Sequence, residues 1–101
     1  MPASSKPSLV GGVQAIRPSN TQNVAYTGTA GTISNAVTAS VVRVMATTDC
    51  FIAVGSSPTA TTSDMPLVAY QPEYFRTVPS SDKVSAIRSS VSGTLYVTEM
   101  D

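Results

Sequence analysis

The residues able to do chemistry are few, and their types narrow what that chemistry is. The chain has one cysteine, Cys50, and no histidine. A cysteine nucleophile acts as its thiolate, which a nearby imidazole or cation normally generates. Cys50 opens the apolar run "CFIAV", and on a strand it shares a face with Ile52 and Val54. That placement predicts burial, which raises a thiol's pKa, so Cys50 is expected to be structural. The carboxylates stand singly at Asp49, Asp64, Glu73, Asp82, Glu99 and Asp101. Without histidine and with a single cysteine, no ligand set has metal-site spacing, and no metal is expected. Glu99 and Asp101 lie close together at a chain end, where a solvated tail is the simpler reading. A glycosidase-type pair would have to come from carboxylates distant in sequence. The small size and scarce aromatics argue against it. The glycines of "GVQAIRPSNTQNVAYTGTAGT" lack the lysine and spacing of a phosphate loop. No catalytic residue and no cofactor is expected.

The whole chain points the same way. Its 101 residues are the length of one domain. Six Lys and Arg balance six Asp and Glu, and the charged share is only 12%. Dispersed, balanced charge of this kind supplies no basic stripe for phosphates, so nucleic acid is not expected as a partner. No run approaches the length of a membrane span, and "MPASSKPSLVGG" lacks the apolar core of a signal peptide. Synthesis in the cytosol and no membrane contact are expected. A lone cysteine makes no internal disulfide. Ser and Thr form more than a quarter of the chain. A surface this rich in hydroxyls and poor in charge suits packing against other protein.

The elements that must carry these residues are short and β-branched. Pro2, Pro7 and Gly11-Gly12 mark residues 1–12 as an extended arm, leaving 13–101 as the domain. Strands are predicted over 13–17, 22–27, 32–38, 40–47, 50–54, 66–70, 73–78, 83–89 and 94–100, each bounded by Gly, Pro or a polar turn. At most one helical turn is expected, because no window holds helical apolar spacing. The fold class is therefore all-β: a small antiparallel β-sandwich, jelly-roll-like, with an N-terminal arm. Residues 41–47 and 50–54 read as a hairpin around Thr48-Asp49, and 55–65 as a crossover or rim loop.

Alternation then exposes a second apolar face. Val42, Val44 and Ala46 share one side of their strand, with Val41, Arg43 and Met45 on the other. Phe51 lies opposite Cys50 and Ile52, and Ile87 lies opposite Val84 and Ala86. A small sandwich has one internal layer, so the extra apolar residues point to a partner or to a covering loop. Of Tyr74 and Phe75, one must face out. The candidate protein interface comprises Val41, Met45, Phe51, Pro58, Thr59, Thr61, Tyr74, Arg76 and Ile87. The loop 56–64 is expected as its polar rim and the 73–76 segment as its anchor.

Residues 41–100, with "TTDCFIAVGSSPTATTSD", "PEYF" and "GTLYVTEM", resemble small virion proteins of tailed bacteriophages. The resemblance implies head decoration, cement or neck-associated roles, without catalytic residues. It implies a non-enzymatic protein located in the virion and assembled in the host cytoplasm. Its partners would be the major capsid or neck protein and further copies of itself. A receptor- or glycan-binding β module of a fibre or tail is the alternative.

Overall fold

The computed structural model describes residues 16–100, together with the backbone of Leu9–Val10 and Val13–Gln14. Leu9–Val10 (β1) and Val13–Gln14 (β2) pair antiparallel in a sheet of their own. The rest of the expected arm, 1–8 with 11–12, lies outside the described residues. Eight further strands follow: Pro18–Tyr26 (β3), Gly31–Thr32 (β4), Val41–Ala46 (β5), Cys50–Gly55 (β6), Met65–Leu67 (β7), Glu73–Arg76 (β8), Lys83–Arg88 (β9) and Gly93–Met100 (β10). No helix occurs among the described residues.

These eight strands form two antiparallel four-stranded sheets, in the orders β3-β10-β5-β8 and β4-β9-β6-β7. Period-two alternation gives each sheet one apolar side. Tyr26, Val42, Val44, Ala46, Leu95 and Val97 of the first sheet meet Cys50, Ile52, Leu67, Val84 and Ala86 of the second in one core. Ile33 and Val37, from the link between β4 and β5, close that core. The protein is thus all-β and sandwich-like.

The expected hairpin of 41–47 with 50–54 is not formed. β5 pairs with β10 on one side and β8 on the other, whereas β6 pairs with β9 and β7. Both edges of each strand are occupied, so the chain passes from one sheet to the other through Thr47–Asp49. Val44 and Cys50 therefore share the inter-sheet core instead of lying side by side in one sheet. The segment 55–65 in turn joins adjacent strands β6 and β7 of one sheet, which makes it a rim loop and not a crossover.

Several strand bounds also differ: β3 starts at Pro18 and not at 22, the strands expected over 66–70 and 73–78 end at Leu67 and Arg76, and two others change more. Of 32–38, only Thr32 is in a strand. The N–H groups that follow find other acceptors: Asn35 bonds to Gln22 Oε1 at 3.1 Å, Val37 to the Asp82 carbonyl at 2.9 Å, and Thr38 and Ala39 to Glu99 Oε1 at 3.0 Å each. Backbone groups satisfied in this way need no ladder. Of the strand expected over 13–17, Val13–Gln14 is in a strand and residues 16 and 17 are not, and the next strand starts at Pro18. Proline is tolerated there because β3 is an edge strand and Pro18 is its first residue.

The sheet-changing turn is held from inside. Tyr26 is buried, and its hydroxyl donates to the Thr48 carbonyl at 2.8 Å and accepts from the Thr48 N–H at 3.2 Å. The Thr48 hydroxyl donates to the Val91 carbonyl at 2.8 Å, tying in the loop before β10. Gly93 lies against this knot. A Cβ there would sit 2.5 Å from Thr48 Oγ1 and 2.7 Å from the Tyr26 hydroxyl oxygen, closer than side-chain carbons pack. Asp49 fastens the next loop, accepting from the Ala69 N–H at 2.9 Å.

Candidate functional site

Cys50 sits at the start of β6 with 1% of its surface exposed. Burial pushes its thiol above the ordinary value; a hydrogen bond with Tyr26 opposes this, and the charge of Asp49 adds to it. A protonated, enclosed thiol is a poor nucleophile. The Tyr26 hydroxyl is also shifted upward, chiefly by burial. Among the described residues, no three His, Cys, Asp or Glu side chains gather as a metal-binding group. Glu99, expected in a solvated tail, is instead buried with 5% exposure, because it lies opposite Val42 on the inward side of β10. Burial opposes its ionisation, but bonds from the Thr38 hydroxyl and the Thr38 and Ala39 N–H groups outweigh that and hold its carboxyl below the usual range. It ties down the loop before β5.

The outer face of the first sheet is different in kind. Register places Tyr96 beside Met45, Arg43 between Thr98 and Tyr74, and Val41 between Met100 and Arg76. Val41, Arg43 and Met45 are half-buried, Tyr74 is 54% exposed and Tyr96 is 36% exposed. Phe75, facing the other way, packs against the core. The outward positions of the four strands carry two arginines and no carboxylate. Glu99 and Glu73 stand at inward positions opposite Val42 and Val44, Glu73 being exposed at the start of β8. At one end the face runs into an open recess of about 800 Å³, lined by Ser40, Val41, Arg76, Thr77, Val78 and Pro79.

The outer face of the second sheet is partly covered by the chain itself. Ser85 is fully buried although it points away from the core, between Thr32 and Ala53. The loop 56–64 folds over it. The Ala60 N–H donates to Ser85 Oγ at 3.0 Å, Thr32 Oγ1 donates to the Pro58 carbonyl at 3.2 Å, and Asp64 caps the Thr61 N–H at 2.7 Å. Phe51 lies between Ile87 and Pro66, and both Phe51 and Ile87 are half-buried.

The nine candidate interface residues therefore do not form one surface. Val41, Met45, Tyr74 and Arg76 share the first sheet's outer face. Phe51, Ile87 and the loop residues Pro58, Thr59 and Thr61 belong to the opposite side. The loop cannot be the rim of a contact anchored by Tyr74, because the two sheets stand between them. Arg43 and Tyr96 complete the first face and were missed as members of it. Alternation put both on outward sides, but only the strand order makes them neighbours. No family model matches this chain, and no curated protein or solved structure is significantly similar to it. The geometry of the first sheet's outer face must carry the functional reading.

Proposed function

We propose that the protein is a non-enzymatic structural component of a virion, which decorates or cements the capsid or neck surface and self-associates there. The observation that carries this reading is the first sheet's outer face. Tyrosine, arginine and methionine are enriched where proteins dock, and here they converge on one exposed sheet. The strand order supports a jelly-roll assignment as well. Counted from β3, strands 1-8-3-6 form one sheet and 2-7-4-5 the other, the double-sheet arrangement found in capsid and lectin domains.

The test is particle composition and rebinding. The chain is expected in purified virions at a fixed copy number per head, and added protein is expected to co-sediment with heads that lack it. Its absence from particles would overturn the reading. A receptor- or glycan-binding module is the second reading, favoured by Tyr70. That residue is 67% exposed in the loop between β7 and β8 and held at φ 59°. Binding to a glycan or cell surface that Tyr70→Ala abolishes, without particle binding, would select it.

A further inference from the structure

We infer that the outer face of the β3-β10-β5-β8 sheet docks an extended acidic segment of a partner protein, with two carboxylates spaced i, i+2 and an apolar residue on either side. The inference rests on the reading above that this face is a docking surface, and it names the partner's chemistry.

Charge comes first. Arg43 and Arg76 are the charged side chains at the outward positions of the four strands, and among the described residues no carboxylate shares those positions. Arg43 is half-buried, which weakens solvent screening of its charge. A guanidinium fork matches a carboxylate in two parallel hydrogen bonds.

Spacing comes second. β5 and β8 are antiparallel, with Arg43 opposite Tyr74 and Val41 opposite Arg76. The two arginines are therefore diagonal neighbours, about 7–8 Å apart. Alternate residues of an extended chain are separated by about 6.5–7 Å. A segment running along β5 and β8 thus meets the face row by row. Met45 and Tyr96 take an apolar side chain. Arg43 beside Tyr74 takes the first carboxylate, and Arg76 beside Val41 takes the second. The recess at Thr77, Val78 and Pro79 takes a second apolar group. Two cations are too few for the phosphate contacts that hold nucleic acid, and the chain's net charge is zero.

The probe is the blocked peptide Leu-Ser-Glu-Ser-Glu-Ser-Leu, titrated into the isotope-labelled full chain and followed by amide NMR shifts. Shifts are expected in 41–45, 74–79 and 94–98. Replacing both glutamates by glutamine is expected to weaken binding by about tenfold or more, as is the double variant R43Q/R76Q. Because both arginines are at the surface, R43Q/R76Q is expected to stay folded, which its own amide spectrum checks, and R43K/R76K, which keeps the charge but loses the fork, is expected to bind between it and wild type. Equal affinity for the two peptides would overturn the inference. So would shifts centred on 56–64, no shift at millimolar peptide, or tighter binding of a thymidine oligonucleotide at the same residues. Binding of the same variants to heads separates the two claims. Wild-type protein that binds the peptide but no head refutes the virion reading alone. Head binding that R43Q/R76Q does not weaken refutes the acidic-segment inference alone.

Discussion

Tyr26, the last residue of β3, and Cys50, the first of β6, are buried beside the turn that passes from one sheet to the other. The Tyr26 hydroxyl serves the Thr48 carbonyl and N–H together, so Tyr26→Phe leaves both without their partner. An unmet buried polar group costs about 1–3 kcal/mol, and urea unfolding should show a loss of that size. Cys50 packs beside it within the core. Cys50→Ser puts a hydroxyl among apolar neighbours and is expected to lower stability by about 1 kcal/mol or more. Because burial also holds the thiol protonated, a bulky thiol reagent should label the native protein only as fast as it opens. Rapid native labelling would show that the thiol is accessible.

At the scale of elements, the connections are held by side chains that replace missing ladder bonds. Glu99 of β10 gathers the N–H groups of Thr38 and Ala39 and the Thr38 hydroxyl at 2.7 Å, fixing the segment that delivers Val37 to the core. Its folded pKa lies below the unfolded value. The carboxylate's contribution is therefore complete above the ordinary glutamate range and is lost as pH falls through the depressed folded value. Melting temperature should drop on acidification below about pH 5, and Glu99→Gln should flatten that slope while lowering stability at neutral pH. An unchanged slope in the variant would place the acid-sensitive group elsewhere. The 56–64 loop is an element of the same kind. Its bonds to Ser85 and Thr32 make it a cover for that part of the second sheet and account for the burial of Ser85.

For the whole molecule, the two outer faces differ in make-up: the loop 56–64 covers part of one, and the other presents aromatic, thioether and guanidinium groups. Tyr74→Ala is expected to cost about 1–3 kcal/mol of association, as at an interface hot spot, with little change in monomer stability. Thr59→Ala, on the far side, should leave association unaffected. Sedimentation over a concentration series, alone and with heads, would read both. If Thr59→Ala weakened association and Tyr74→Ala did not, the docking face would be the loop-covered one.

The sequence by itself determined that the protein is all-β and, for the clearest strands, which apolar residues turn inward. Val42, Val44 and Ala46 against Val41, Arg43 and Met45, and Leu95 and Val97 against Tyr96, were legible because a strand's period of two depends only on local geometry. Burial of Cys50 followed from the same rule. The partner of each strand was not legible, since any two alternating strands can pair and a three-residue turn serves either a hairpin or a change of sheet. The 41–54 segment was misread for that reason. Glu99 was misread because the groups that donate to its carboxylate, on Thr38 and Ala39, lie far away in the chain. The proposed docking face is likewise a product of pairing. Arg43, Arg76 and Tyr96 are scattered in sequence among balancing carboxylates. Only the order β10-β5-β8 sets them side by side, on the side that alternation leaves clear of Glu73 and Glu99. Net charge is a sum over residues, whereas a charged face depends on which of them the register brings to the same side.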